Sequence, residues 1–142
     1  MNEQLEKNKA IVTRFNKDFI EGGNTEAFNE IVDDNFINHT APKGVSNGKD
    51  GVLNFINVIR KALPDITVEI ADQVAENDLV VTRKYFHATH TGELMGIKPS
   101  FKKVKLYVID IIRLKDGKYI EHWSIRDVQD VIEQSKLAAQ EQ

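Results

Sequence analysis

The sequence predicts an α+β fold in which helices pack on the concave face of a cone-shaped, curved antiparallel sheet. Two observations predict it. Up to residue 63, apolar side chains recur at spacings of three and four, which is typical of helices that bury one face. From residue 66 onward they alternate with polar side chains, which is typical of strands. The length of 142 residues suits one domain, so a single domain is predicted over residues 1–142.

Composition excludes several functional classes. The net charge is −3 without a basic cluster, which disfavours nucleic acid as a partner. The absence of cysteine excludes disulfides, thiol catalysis and thiolate metal sites. The first seven residues are too polar for a signal peptide, and no apolar run approaches the roughly 20 residues of a membrane span. We therefore expect a cytoplasmic protein that does not bind membranes.

Three helices and a short strand are predicted in the first half of the chain. The helices cover residues 3–21, 24–32 and 47–63, and the strand covers 35–40. Gly22 and Gly23 end the first helix, since glycine adopts the conformation that a helix C-terminus requires. Asn24 caps the second helix through its side-chain oxygen. Pro64 ends the third, because the residue before a proline avoids the helical region.

Four strands and a final helix are predicted in the second half. The strands begin at residues 66, 79, 102 and 118, and the last ends near residue 125. Asp116 and Gly117 form the strongest short hairpin signal in the chain. Residues 92–100 form a loop, and residues 128–139 read as a helix for which Asp127 is a plausible cap.

The order and spacing of five segments resemble the SnoaL-like polyketide cyclases, which share a superfamily with ketosteroid isomerase and nuclear transport factor. The segments are Leu63-Pro64-Asp65-Ile66, residues 76–81, residues 89–99, residues 112–123 and Asp127. The resemblance implies a homodimer formed through the outer sheet face. It also implies an intramolecular aldol ring closure without metal or cofactor, in which Asp127, at the matching position after the tryptophan, acts as acid and base. Ser100-Phe101-Lys102 departs from the family's common Thr-Gly-Lys run, so this rim of the pocket is expected to differ.

Asp127 is the first candidate for a catalytic residue. A carboxylate in an apolar pocket has a raised pKa, which suits proton abstraction beside a carbonyl; the structural alternative is the helix cap. Trp123 shares strand parity with Asp127 if the strand has no bulge, so it is predicted to line the substrate pocket, with plain core as the alternative. By the same parity His122 points to the opposite face.

Histidines and tyrosines supply the remaining candidates. His90 is predicted as a proton donor or a partner that orients the carboxylate, and His39 as a residue at the cavity mouth. Tyr85 and Tyr107 are predicted pocket walls with a hydroxyl to donate. Each of the four has a structural role as its alternative. His87 lies three residues before His90, a spacing that argues against a histidine pair binding metal on a strand.

Asp110 interrupts an apolar strand, and burying an unpaired carboxylate is costly. It therefore either faces the cavity or pairs with an arginine such as Arg83 or Arg113. The predicted function is cofactor-independent aldol cyclisation or isomerisation of a hydrophobic carbonyl compound. The alternative is a non-catalytic module of the same fold that binds a hydrophobic small molecule or serves dimerisation.

Overall fold

The computed structural model describes residues 2–94 and 96–127. The helices are α1 (Asn2–Arg14), which continues as a π-helical segment (Phe15–Glu21), α2 (Thr25–Ile31) and α3 (Lys49–Ala62). The strands are β1 (Val32–Asn38), β2 (Thr67–Glu76), β3 (Leu79–Thr89), β4 (Lys103–Lys115) and β5 (Lys118–Arg126). The helix predicted over residues 128–139 lies outside the described residues. In the part of the chain that the structure describes, no helix is long and apolar enough to cross a membrane.

The five strands form one open sheet in the order β1-β5-β4-β3-β2. The pairs β2–β3, β3–β4 and β4–β5 are antiparallel, as the hairpin signals predict. β1 runs parallel to β5, so the sheet, which is antiparallel from β2 to β5 as predicted, becomes mixed at this edge. The parallel pairing is possible because more than 70 residues separate β1 from β5, which leaves room for a crossover.

The residues predicted to begin and end the helices of the first half do so in the structure. The side-chain oxygen of Asn24 accepts hydrogen bonds from the backbone N–H groups of Glu26 and Ala27, which confirms the cap. The first helix widens into π geometry before it ends at Gly22. This segment buries Phe15, and π-helical turns are frequent at functional sites.

One face of the sheet carries the core. On β3 and β4 the even-numbered side chains are buried and the odd-numbered ones are only partly buried or exposed. The buried apolar set includes Val80, Phe86, Leu106, Val108 and Ile112, which pack with side chains of the helices into one cluster. The opposite face of these strands is called the outer face below.

β5 contains a β-bulge that changes which of its residues face the core. Tyr119 pairs with Leu114 and Glu121 pairs with Arg113, so Ile120 is an extra residue without a partner on β4. Because strand side chains alternate, one extra residue reverses the parity of everything that follows. Tyr119 therefore faces the core together with the even-numbered residues after the bulge.

Candidate active site

A cavity of about 110 Å³ lies between the core face of the sheet and the helices. This is of the order of the ~150 Å³ apolar cavity that holds a benzene ring. Most of its wall is apolar, with side chains from the π-helical segment, β1, α3, β3, β4 and β5. Pro42, Val45 and Ser46, in the loop after β1, line it and are exposed, so this loop forms its mouth. The polar and charged side chains in the wall are Asn38, Ser46, Lys84, Asp110, Tyr119, His122, Ser124 and Arg126.

Asp110 lies at the centre of the polar group in this cavity. Its Oδ1 is 2.9 Å from His122 Nε2, and its Oδ2 forms an ion pair with Lys84 Nζ. Strand register explains the grouping. Asp110 pairs with Thr82 and Ser124, so Lys84 and His122 are diagonal neighbours on the same sheet face. Asn16, from the π-helical segment, completes the group with its Oδ1 at 2.5 Å from Lys84 Nζ.

The surroundings of Asp110 keep it ionised. Burial alone would raise the pKa of its carboxyl, but the Lys84 ammonium and the His122 imidazole hold that pKa well below its ordinary value of 3.8. Each carboxylate oxygen has two lone pairs, and the contacts with Lys84 and His122 use one on each. Asp110 is therefore a buried anion that can still accept a proton or a hydrogen bond from a ligand.

The hydrogen bonds of His122 fix the orientation of its ring. Its Nδ1 lies 3.0 Å from Asn38 Oδ1, and the backbone N–H of Thr40 donates to that same oxygen at 3.1 Å. Its Nε2 lies 2.9 Å from Asp110 Oδ1. The imidazole is thus held between β1 and β4 and lines the cavity.

Tyr119 presents a free hydroxyl to the cavity. Its ring packs against Phe15, with 4.7 Å between the centroids, and its hydroxyl makes no hydrogen bond within the described ranges 2–94 and 96–127. Burial and then the negative charge of Asp110 raise the pKa of this hydroxyl well above its ordinary value of 10.0. Tyr119 thus keeps its proton at neutral pH and can donate it in a hydrogen bond to a ligand oxygen.

Trp123 and His39 lie outside the cavity. Their rings stack with 4.7 Å between centroids, and His39 Nε2 lies 2.7 Å from Glu121 Oε2. The prediction that Trp123 faces the pocket with His122 behind it is wrong, because the bulge at Ile120 reverses the parity of β5. His122 faces the cavity and Trp123 faces outward.

Asp127 follows the end of β5 and does not line the cavity. Its Oδ1 accepts a hydrogen bond from the backbone N–H of Tyr107 at 2.7 Å, and its own N–H donates to the Tyr107 carbonyl at 3.2 Å. Tyr107 packs against Tyr85 on the outer face, with 5.1 Å between centroids, so the placement of both tyrosines in the pocket wall is also wrong. The catalytic role of Asp127 stays a prediction, but it lacks a place in this cavity.

His90 is fully buried beyond the end of β3 and is absent from the cavity wall. Its Nδ1 accepts a hydrogen bond from the backbone N–H of Ser100 at 3.4 Å. Burial lowers the pKa of the imidazole, an effect that a hydrogen bond with the Gly92 backbone opposes, so the ring is neutral at pH 7. The described contacts do not join His39, His90 and Asp127 into one network.

The sequence does not predict Lys84, His122 and Arg126 as cavity residues. For Asp110 it predicts two alternatives, a place in the cavity or an ion pair with an arginine. Asp110 faces the cavity and pairs with a lysine, whereas Arg83 bonds to Asp72 and Arg113 bonds to Glu121. One usable signal was present. Lys84 lies in the buried even-numbered series of β3, beside Phe86, where a charged residue needs a partner. Within residues 2–94 and 96–127, the structure contains no cluster of three or more histidines and carboxylates able to hold a metal ion.

A family model and several solved structures link the chain to one family. The model of SnoaL-like polyketide cyclases matches residues 10–135. A Bacillus cereus protein assigned as a polyketide cyclase is 32% identical, with a TM-score of 0.79 over 92% of this chain and 81% of that one. IdmH of Streptomyces antibioticus, assigned likewise, is 25% identical, with a TM-score of 0.79 over 89% of this chain and 96% of that one. A similarly assigned protein of Acidithiobacillus ferrooxidans is 25% identical, with a TM-score of 0.81 over 93% and 96% of the two chains. Curated proteins give no significant match.

Proposed function

The chain belongs to the SnoaL-like polyketide cyclase family, and we propose that it catalyses cofactor-independent acid/base chemistry, an aldol cyclisation or an isomerisation, on a hydrophobic carbonyl compound. The observation that carries the proposal is the ionised Asp110 in a largely apolar cavity, paired with Lys84 and His122. A buried carboxylate with a strongly perturbed pKa that faces a space large enough for a ring is a candidate for a functional site.

Asp110 acts as the general base in this proposal. It takes a proton from the carbon beside the substrate carbonyl, and the electron pair of that C–H bond moves into the enolate. The Tyr119 hydroxyl, which has no other described partner, donates a hydrogen bond to the enolate oxygen. In an isomerisation Asp110 returns the proton to another carbon. In a cyclisation the enolate carbon attacks a second carbonyl of the same molecule, and the new alkoxide takes the proton.

The low basicity of Asp110 suits substrates that are already acidic. Lys84 and His122 hold its pKa down, so abstraction from an ordinary ketone is unfavourable. The Lys84 ammonium also stabilises the enolate that forms beside it, which offsets part of this cost. Methylene groups between two carbonyls, common in polyketides, lose a proton much more readily. We therefore expect 1,3-dicarbonyl compounds to react faster than monoketones.

Exchange of carbon-bound hydrogen for deuterium tests this proposal without knowledge of the product. Phenylacetone and benzoylacetone are incubated with the protein in D₂O, and loss of the methylene signal is followed by proton NMR. We expect exchange faster than with heat-unfolded protein, with the larger rate increase for the dicarbonyl. If neither compound, nor an extended panel of aryl ketones, exchanges above the control rate, the enzyme proposal is wrong. Binding without exchange would then favour a ligand-binding module.

The outer face supports a separate proposal about assembly, a homodimer formed by this face of the sheet. Ile125 is 77% exposed and Val74 64% exposed, and both are apolar side chains on the sheet. Tyr85, Tyr107 and Trp123 extend the same face. An exposed apolar surface of this kind is typical of protein interfaces.

Replacing Ile125 with glutamate should convert the dimer to a monomer, because it places a charge in the apolar part of the interface. Size-exclusion chromatography with light scattering measures the mass. Val58→Glu on α3 is the matched control, since Val58 is 48% exposed but belongs to a helix. A wild-type monomer, or an unchanged Ile125→Glu dimer, would contradict the proposed interface.

A further inference from the structure

Arg126 differs from the other arginines of the chain in its contacts. Arg14, Arg60, Arg83 and Arg113 each bond to carboxylates or to backbone carbonyls. The Arg126 guanidinium lies over the ring of Phe55, 4.7 Å from its centroid, and forms no hydrogen bond or ion pair with the residues that the structure describes. Its side chain lines the cavity at the end of β5.

The charges of the cavity wall do not balance. Lys84 and His122 both contact Asp110, the single carboxylate in the described wall, so the charge of Arg126 has no counterpart there. Burial lowers the pKa of Arg126, against the attraction of Asp110, which indicates that water has been partly removed from the guanidinium. A partly desolvated cation without an anion is unfavourable, and a ligand that brings the anion relieves this cost.

The shape of the guanidinium selects the kind of anion. Stacking on Phe55 occupies one face of its plane and leaves the N–H groups at the edge free to donate. Two parallel N–H groups match the two oxygens of a carboxylate. The rest of the ligand must be apolar, because Phe15, Val52 and Ile56 are among the many apolar side chains of the wall.

We propose that the cavity binds an apolar carbonyl compound that also carries a carboxylate, and that Arg126 binds this carboxylate while the reacting carbonyl lies at Asp110 and Tyr119. The position of the reacting carbonyl rests on the proposed function, whereas the binding of the carboxylate by Arg126 does not. Arg126 is two residues beyond Ser124, which pairs with Asp110. Two strand residues span roughly 7 Å, so the carboxylate and the carbonyl should be separated by about four methylene groups.

Matched acids and esters test the proposal by binding alone. The probes are β-benzoylpropionate, γ-benzoylbutyrate and δ-benzoylvalerate, each with its methyl ester, titrated by calorimetry at pH 7.5. At least one acid should bind wild-type protein about tenfold more tightly than its ester, the increment expected for a charge-assisted hydrogen-bonded pair. Arg126→Gln should remove this preference, and Arg126→Lys should retain part of it, since the charge remains but the planar fork is lost.

Arg113→Gln is the matched control, because Arg113 is a cation of the neighbouring strand that lies on the outer face and pairs with Glu121. It should keep the full preference for the acid. Thermal melting of each variant verifies folding. Equal affinity for acid and ester in the wild type, a preference that survives Arg126→Gln, or no binding by any probe would overturn the proposal. Acid-selective binding without deuterium exchange would refute the enzyme proposal alone, whereas exchange without acid selectivity would refute only this inference.

Discussion

Replacing Asp110 with asparagine should lower the rate of deuterium exchange on the order of 10³-fold, the usual contribution of a positioned general base. The substitution keeps the volume and the planar shape of the side chain, and it removes both the negative charge and the proton-accepting oxygen that contacts His122 or Lys84. The exchange assay in D₂O measures the effect directly, with the affinity for a benzoyl acid as an independent check that the cavity is intact. A retained affinity with a lost rate would identify Asp110 as a group needed for the chemistry.

Asp127→Asn is the matched control for that experiment. It makes the same chemical change, but at a carboxylate that accepts a hydrogen bond from the Tyr107 backbone and does not line the cavity. Its exchange rate should stay close to that of the wild type. The reverse result, a large loss at Asp127 and little at Asp110, would reject the base proposed from the cavity and support the one expected from family resemblance.

Replacing Lys84 with methionine should destabilise the protein by about 3 kcal/mol, because it leaves a buried carboxylate without its ammonium partner. The side chains of Lys84 and Asp110 are only 3% and 10% exposed, so water cannot replace the ammonium easily. Urea denaturation measures the change, and for a chain of this length the melting temperature should fall by roughly 10 °C. A loss below about 0.5 kcal/mol would mean that the pair behaves like an exposed salt bridge.

The double variant Lys84→Met with Asp110→Leu is the control for this stability effect. It should recover most of the loss, since removing both partners leaves neither the carboxylate nor the ammonium buried without the other. Recovery would show that the cost lies in the unpaired carboxylate rather than in lost packing of the lysine chain. Exchange activity should remain absent in the double variant, which would separate the structural effect of the pair from its proposed chemical role.

The pH dependence of unfolding gives a second measurement of the same pair. The pKa of Asp110 is lowered in the folded state, so the ionised carboxylate stabilises the fold fully above the ordinary value of 3.8. That contribution is lost as the pH falls below 3.8 towards the folded value. The free energy of unfolding of the wild type should therefore fall as the pH decreases from about 4 to about 2, and the double variant should show a smaller fall.

Most of the fold can be predicted from the spacing of apolar residues and from the residues that cap helices and form turns. The change of spacing after Pro64, the cap at Asn24 and the Asp-Gly turn at residue 116 are local signals, and local signals predict local structure. The parallel pairing of β1 with β5 could not be predicted in this way. It joins segments more than 70 residues apart, and its energy comes from tertiary packing that no short window contains.

The candidate site was predicted less well, because the β-bulge at Ile120 changes which side chains of β5 face the cavity. Parity correctly separated His122 from Trp123, but it could not say which of them faces the core. That depended on the bulge at Ile120, which leaves no compositional trace, since isoleucine is an ordinary strand residue. The apolar neighbours of Asp110 predict that it faces the cavity or pairs with an arginine, whereas the strand register brings Lys84 beside it.

Because Ile120 is an extra residue, the number of residues between the β4–β5 hairpin and a given position of β5 decides whether that side chain faces the cavity. Consider two related chains whose β5 strands have the same sequence after the hairpin, except that one lacks the extra residue. The side chains that face the ligand in one chain would face away from it in the other. One would offer an imidazole and the other an indole at the same point in space. Transferring a catalytic residue between relatives of this fold therefore requires counting from the turn to the motif, because an alignment that opens a gap inside the hairpin exchanges the inside and the outside of the sheet.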